Sequence, residues 1–227
     1  MFDSPYKKYA GKKLAWLPMD TLKLFNENLQ KRYNILQENN WIDQTFFYEF
    51  NSLGFLSNEF KDIPNIMFLG CSLTAGIGIP AQYRWTDLVA SKLNLACYNL
   101  AIGGASSDTA FRLCLGYIDK LNPKIVIFRR PPGVRLELII DDQSTNISLE
   151  NVNFFKPYMK YFIANHNNNE LNFLKNSLSI HKLCDDRKIK FILLDDKIIK
   201  RIDLARDLLH PGIKSNSLYA EKTLSLI

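Results

Sequence analysis

The sequence lacks the features that mark membrane-spanning and exported proteins. None of its apolar runs reaches the roughly 18–20 residues needed to cross a bilayer. The segment from Met1 to Lys8 contains no apolar core of a signal peptide. We therefore expect a protein without a membrane span, which acts in the cytoplasm or in a particle assembled there.

Metal, disulfide and nucleic-acid signals are also missing. The four cysteines (Cys71, Cys97, Cys114 and Cys184) form no Cys-x-x-Cys pair or other metal-ligand spacing, so we expect reduced thiols and no metal site. The net charge of +6 hints at an anionic partner, but the basic residues are scattered and do not favour nucleic-acid binding. With 227 residues, 47% of them hydrophobic, the chain has the composition of a soluble globular protein with one sizeable core.

Nucleotide-binding fingerprints are absent from the two glycine-rich turns of the chain. A turn of this kind between a strand and a helix could cradle a phosphate. However, neither turn carries the Gly-Lys-Ser/Thr of a P-loop, or Gly-x-Gly-x-x-Gly with a later ribose-binding acid. Nucleotide binding is therefore not favoured.

What the chain does contain is an alternation of apolar runs and helical patterns. Asn65 begins a short segment whose next four residues, Ile66 to Leu69, are apolar and are followed by Gly70, which is typical of a buried parallel strand. Further strands are predicted over 95–100, 124–128 and 189–195, and helices over 107–120, 171–187 and 216–226. Strands that alternate with helices predict an α/β fold, with helices covering both faces of a parallel sheet.

Two parts of the chain lie outside this alternation. Residues 1–62 are predicted to be an N-terminal extension packed on the core formed by residues 63–227. The extension is expected to have a loose arm over 1–18 anchored by Trp16, a helix over 19–41, and an aromatic extended segment over 46–55. The polar, asparagine-rich stretch over 140–170 predicts a long loop with a short helix.

Three separated segments together suit nucleophilic chemistry. Ser72 follows the first strand of the sheet, at the carboxyl end where open α/β sheets place their ligands. A serine hydroxyl needs a base to become a nucleophile. His210 could be that base, and Asp207, three residues earlier, could orient its imidazole. The backbone N–H groups of Ser72 and Gly104 could bind a developing oxyanion.

Each of these residues also has an ordinary structural explanation. Ser72 could cap the helix that follows it, Asp207 could be a carboxylate at a helix start, and His210 could be a surface histidine. Gly104 could serve only in a tight turn. Cys71 is not favoured as a thiol nucleophile, because it is expected to point away from the cleft.

The same segments resemble the sequence blocks of SGNH (GDSL-type) hydrolases, over about residues 64–226. The matching blocks are Gly70-Cys71-Ser72-Leu73-Thr74-Ala75-Gly76, Asn99-Leu100-Ala101-Ile102-Gly103-Gly104 and Asp207-Leu208-Leu209-His210-Pro211. The resemblance implies a three-layer α/β/α, flavodoxin-like fold with about five parallel strands. It also implies hydrolysis or transfer of acyl esters by Ser72, His210 and Asp207, without a metal or cofactor. The elbow of α/β-hydrolases matches less well, because Thr74 stands at its second glycine position.

Two positions depart from the family's pattern. Cys71 stands where the first block usually has Asp, a residue that is not the nucleophile. After the third strand the family has Gly-x-Asn-Asp, whose Asn completes the oxyanion hole, whereas this chain has Phe128-Arg129-Arg130-Pro131-Pro132-Gly133. Loss of one oxyanion donor costs about 10²–10³ in turnover. Arg129 or Arg130 could replace this donor or bind an anionic substrate group, and a structural salt bridge is the alternative.

The sequence therefore predicts a serine esterase that removes a small acyl group. Family analogy suggests acetyl on a carbohydrate as the substrate, and no oligomeric state is predicted. An acyltransferase would use the same residues and exclude water. The alternative from another class is a non-catalytic SGNH-like binding or structural module, for example in a viral or other large assembly. A Ser72 Oγ within hydrogen-bonding distance of His210 would favour the enzyme over the non-catalytic module.

Overall fold

Four parallel strands lie at the centre of the computed structural model. The structure describes residues 3–131, 135–140, 143–148, 161, 165–195 and 201–227. In chain order, the described strands and α-helices are β1 (Lys13–Leu14), α1 (Leu22–Lys31), α2 (Tyr33–Glu38), β2 (Tyr48–Glu49), β3 (Asn65–Leu69), α3 (Ser72–Ala75), α4 (Trp85–Lys92), β4 (Ala96–Asn99), α5 (Ser107–Leu121), β5 (Ile125–Arg129), β6 (Arg135–Ile140), β7 (Gln143–Ser148), α6 (His166–Asp185), β8 (Lys190–Leu194) and α7 (Ile213–Leu224).

The central sheet has the strand order β4-β3-β5-β8, and all its neighbours are parallel. Every residue of β3 is buried, as expected for a strand covered on both faces. Successive side chains of a strand point to opposite faces. Met67 and Leu69 accordingly cluster with residues of α5 and α6, and Ile66 and Phe68 with residues of α4 and α7. The predicted three-layer α/β/α fold is confirmed, with four sheet strands in the described part of the chain rather than about five.

Parts of the N-terminal segment are ordered by contacts within the segment, and other parts pack against the core. Ser4 Oγ donates a hydrogen bond to Gly54 O at 2.6 Å, and Leu17 is buried. The prediction of a loose arm over 1–18 is therefore wrong for residues 3–18, while residues 1–2 lie outside the described residues. Further side chains of the segment form one apolar cluster with the end of α3, the loop after it and the loop that carries Asp207. The buried members of this cluster include Trp41, Tyr48, Ala75, Ile77, Ala205 and Leu208.

The helix predicted over 19–41 is two shorter helices. α1 begins after Thr21, whose hydroxyl accepts a hydrogen bond from Leu24 N at 3.0 Å. Arg32 separates α1 from α2, because its φ of −140° leaves the helical region. The aromatic segment over 46–55 contains β2, which pairs with β1 in antiparallel fashion, so part of it is extended as predicted.

An antiparallel hairpin occupies part of the region predicted to be a loop. β6 and β7 pair from Arg135 with Ser148 to Ile140 with Gln143. The hairpin is fixed to α5 by an ion pair in which Arg112 Nη2 lies 2.8 Å from Glu137 Oε1, with both side chains at least nine-tenths buried. The prediction of a loop over 140–170 is therefore wrong for residues 143–148.

The helix after this region starts earlier than predicted. α6 begins at His166 rather than at 171, because Asn165 caps it by accepting the backbone N–H groups of Asn167 and Asn168. The asparagine run that suggested a loop thus provides a helix cap and the first turn. Residues 149–160 and 162–164 of the predicted loop lie outside the described residues.

Within the described ranges, no helix is long and apolar enough to cross a membrane. The same ranges contain no cluster of three or more His, Cys, Asp or Glu side chains that could hold a metal ion. All four cysteines are buried and free.

Candidate active site

Ser72 lies where β3 turns into α3. Gly70 allows this turn, since a Cβ there would come within 2.4 Å of Thr74 Oγ1 and 3.1 Å of Arg129 O. Ser72 is the first residue of α3 and is 3% exposed. The N-cap position belongs to Cys71, and no side-chain hydrogen bond caps the helix. The explanation of Ser72 as a helix cap is therefore not supported.

Asp207 and His210 form a buried hydrogen-bonded pair. His210 Nδ1 contacts Asp207 Oδ2, and the other carboxylate oxygen accepts the backbone N–H groups of Leu209 at 2.9 Å and His210 at 3.0 Å. The His210 side chain is 8% exposed and that of Asp207 is 0% exposed, so this is not a surface histidine. An ionised carboxylate only accepts hydrogen bonds, which places the imidazole proton on Nδ1. Nε2 is then the nitrogen that can accept a proton.

The loop that follows α3 packs directly on the loop that carries this pair. Arg206 N donates a hydrogen bond to Gly78 O at 3.0 Å. Gly78 has a φ of +83°, and a Cβ on it would come within 2.7 Å of Ala205 Cβ and 3.3 Å of Asp207 Oδ1. The structure thus brings Asp207 and His210 together and places Ser72 on an adjoining segment. Among the described residues, no hydrogen bond joins Ser72 Oγ to His210.

Gly104 lies beyond the end of β4, next to the turn that carries Ser72. Ile102 N donates a weak hydrogen bond to Gly70 O at 3.4 Å, which pairs the two segments at these residues. Ser72 lies two residues after Gly70, and Gly104 lies two residues after Ile102. Gly104 has a φ of +76°, and a Cβ on it would meet no atom within 4 Å. The side of Gly104 on which a side chain would stand is therefore open space.

Asn99 ties the two turns together, a role that the sequence reasoning did not assign to it. Its Nδ2 donates to Thr74 O at 2.8 Å, and its Oδ1 accepts the N–H of Ala101 at 3.1 Å. The side chain is buried. The position of Asn99 at the start of the second SGNH-like block was the available signal.

Arg129, the last residue of β5, and Arg130, which follows it, contact helices on opposite faces of the sheet. Arg129 is buried, donates to Tyr219 Oη at 2.9 Å and lies over the Tyr219 ring of α7 at 4.2 Å from its centroid. It also donates to Leu73 O at 3.5 Å. Arg130 forms an ion pair with Glu170 and lies over the Phe173 ring of α6 at 4.2 Å. Both guanidinium groups therefore contribute to packing between the sheet and the helices.

A buried ion pair next to the candidate triad was missed by the sequence reasoning. Arg206 Nη2 lies 2.7 Å from Asp20 Oδ2, with side chains 3% and 1% exposed. The Arg206 guanidinium lies between the rings of Trp16 and Phe46, at 3.9 Å from each centroid. The N-terminal segment therefore holds the residue directly before Asp207. The local sequence does not predict this pair, because its two residues are 186 positions apart.

Tyr48 extends this network to the loop after α3. Its hydroxyl donates to Asp20 Oδ2 at 2.5 Å and accepts the N–H of Gly78 at 2.8 Å. Burial, followed by the negative charge of Asp20, raises the pKa of the Tyr48 hydroxyl well above its ordinary value. The hydroxyl therefore keeps its proton, and one hydrogen-bond network links the loops of Ser72 and Asp207.

Comparisons with known proteins show similarity at the level of solved structures. No protein-family model matches the chain, and no curated protein sequence matches it. It is similar to the structure of TesA, with a TM-score of 0.46 and 12% identity, over 71% of this chain and 96% of that chain. The psychrotrophic esterase EstA from Pseudoalteromonas sp. gives a TM-score of 0.41 and 16% identity, over 72% and 96%. A carbohydrate acetylesterase family member from Sinorhizobium meliloti gives 0.38 and 10%, over 72% and 97%.

Proposed function

We propose that this chain is a serine esterase of the SGNH type that cleaves a small acyl ester. The observation that carries the proposal is the buried Asp207–His210 hydrogen bond, on a loop packed against the segment after Ser72. A carboxylate that fixes an imidazole tautomer, close to a serine at a strand end, is the arrangement that activates a hydroxyl.

The reaction follows from the roles of these three residues. Ser72 Oγ attacks the carbonyl carbon of the ester while His210 Nε2 takes its proton. The tetrahedral adduct then expels the alcohol, which receives that proton, and Ser72 is left acylated. A water molecule, deprotonated by His210, releases the acid and restores the serine. Asp207 stays ionised throughout and stabilises the imidazolium.

The oxyanion of the adduct requires donors that are already in place. The backbone N–H groups of Ser72 and Gly104 are the proposed donors, because both residues follow the paired position of Gly70 and Ile102. Donors aimed at the developing charge account for a large share of esterase rate enhancement. Arg129 and Arg130 remain candidates for binding an anionic substrate group, although both already have partners on helices.

The substrate proposed for this site is a short-chain ester, with acetyl on a carbohydrate as the first choice. The proposal draws on the resemblance to SGNH hydrolases. An acyltransferase would use the same acyl-enzyme and pass the acyl group to an alcohol other than water.

A non-catalytic binding or structural module is the second candidate. It is favoured by the absence, within the described residues, of a hydrogen bond between Ser72 Oγ and His210, and by the missing asparagine after β5. Catalytic hydrogen bonds are often long in ligand-free structures, so the first proposal is preferred.

Hydrolysis of 4-nitrophenyl acetate by the full chain tests the two proposals. We compare wild type with Ser72→Ala, His210→Ala and a control, Ser91→Ala, which removes an exposed hydroxyl of α4. Loss of the nucleophile or base is expected to lower turnover by about 10³-fold or more, and the control should match wild type. A reactive phosphonate should label the peptide that contains Ser72.

Equal background rates for all four proteins, with no phosphonate on Ser72, would reject the esterase and leave the binding module. Acyl transfer to added glycerol in preference to water would identify the transferase.

A further inference from the structure

The Tyr6 hydroxyl lies against the turn that carries the proposed oxyanion donor. A Cβ on Gly103 would come within 2.4 Å of Tyr6 Oη and 3.1 Å of Met19 Sδ. Gly103 does not have a positive φ, so close approach rather than backbone conformation is the reason that a glycine fits there. Tyr6 thus contacts the residue directly before Gly104.

This hydroxyl is held in place by the folded N-terminal segment. The Tyr6 ring packs edge-on against Phe50, with 5.7 Å between centroids, and at 5.8 Å from Tyr9. Ser4 Oγ accepts the N–H of Tyr6 at 3.1 Å and itself donates to Gly54 O at 2.6 Å. The hydrogen bond to the Tyr6 backbone and the ring contacts hold the side chain in one conformation. Its hydroxyl would therefore lose little conformational entropy on ligand binding.

The Tyr6 hydroxyl is protonated and is available as a donor. Burial raises the pKa of Tyr6 to about 12. A backbone hydrogen bond from Gly103 to the phenolic oxygen acts in the opposite direction and lowers this pKa. Among the described residues, no carbonyl or carboxylate accepts the Tyr6 hydroxyl proton.

The resemblance to SGNH hydrolases implies a further donor, because the asparagine that the family has after its third strand is missing from this chain. The chain has Arg129 at the end of β5, followed by Arg130 and Pro131, and the two arginine side chains are engaged with α7 and α6. A neutral phenol suits the role, because tyrosine hydroxyls stabilise developing oxyanions in other enzymes.

We propose that Tyr6 Oη is a third donor to the acyl oxygen, acting beside the N–H groups of Ser72 and Gly104 in place of the absent asparagine. This inference rests on the proposed esterase function. It makes Tyr6 a catalytic residue contributed by the N-terminal segment, whose hydroxyl binds the substrate carbonyl oxygen more strongly as that oxygen becomes charged.

The test is Tyr6→Phe in the full chain, with Tyr9→Phe as the matched control, since Tyr9 belongs to the same aromatic group. Hydrolysis of 4-nitrophenyl acetate and the rate of phosphonate labelling at Ser72 are measured for wild type and both variants. We expect Tyr6→Phe to lower kcat and the labelling rate by about 10²–10³-fold with little change in KM. Tyr9→Phe should match wild type in both.

A second variant covers the case in which Tyr6→Phe does not fold. Gly103→Ala keeps the tyrosine and places a methyl group 2.4 Å from its hydroxyl oxygen, which has to move, so it should reduce the same two rates. The Tm of each variant is recorded, because a purely structural role for Tyr6 would lower Tm and leave kcat of the folded protein unchanged.

The outcomes separate the two proposals. An active wild type whose kcat is unaffected by Tyr6→Phe rejects the role of Tyr6 and keeps the esterase. A wild type that is inactive and not labelled by the phosphonate rejects both.

Discussion

Replacing Asp20 by alanine would leave Arg206 as a buried cation without its carboxylate. In the native protein the pair has three guanidinium–carboxylate contacts between 2.7 and 3.3 Å. Both side chains are almost fully buried. The remaining partners of Arg206, which are Ala15 O at 2.7 Å and the two flanking aromatic rings, do not supply a negative charge.

The cost of this substitution can be worked out from the burial of the pair. Removing one partner of a buried ion pair costs about 3–5 kcal/mol, because the other charge stays in a poorly solvated site. For a chain of this length each kcal/mol lowers Tm by about 2–4 °C, so the expected shift is about 6–20 °C. Asp20→Ala also removes the acceptor of the Tyr48 hydroxyl, which places the result toward the upper part of this range.

Thermal unfolding followed by circular dichroism measures this effect. The matched control is Glu49→Ala, which makes the same change of charge and breaks an ion pair with Lys13 whose side chains are 58% and 70% exposed. The control should change stability by at most about 1 kcal/mol. An Asp20→Ala protein as stable as Glu49→Ala would refute the view that this pair holds the Asp207 loop.

Two further predictions concern packing. Gly78 has a φ of +83°, and a Cβ on it would lie 2.7 Å from Ala205 Cβ, whereas Gly11 has a φ of +66° and a Cβ on it would meet no atom within 4 Å. In urea unfolding, Gly78→Ala should therefore lower the free energy of unfolding by about 1–3 kcal/mol more than Gly11→Ala does. Equal losses would contradict the tight contact between the two loops. All four cysteines are buried, and the pKa of Cys114 is raised by its hydrogen bond with Cys184 and by burial. A thiol reagent should therefore label no cysteine before unfolding, and rapid labelling of the native protein would show that this core is open.

The sheet and the two glycine turns could be predicted because their signals are local. Ile66 to Leu69 is apolar at successive positions, and Gly70 and Gly104 stand where the backbone must turn or take a positive φ. Asp207 and His210 are three residues apart, so their pairing also follows from local geometry. These features of the candidate site required no knowledge of distant contacts.

The contacts between distant parts of the chain could not be predicted in the same way. Composition suggested a loose N-terminal arm, but the arm is held by partners far along the chain, as when Ala15 O accepts a hydrogen bond from Arg206. The hairpin of β6 and β7 combines a mostly apolar strand with a mostly polar one, and its Glu137 is paired with Arg112 of α5, 25 residues away in the chain. The sequence also left open whether Arg129 and Arg130 pair with other side chains, which depends on the helices that flank the sheet.

The distance in sequence between Asp20 and Arg206 has a consequence for how the protein is made. A ribosome adds residues in order, so the Asp20 carboxylate emerges 186 residues before the guanidinium that it binds. All four strands of the central sheet precede Arg206 in the chain. A nascent chain halted just before Arg206 would thus contain the four described strands of the sheet and Ser72, yet lack Asp207, His210 and the ion pair that supports their loop.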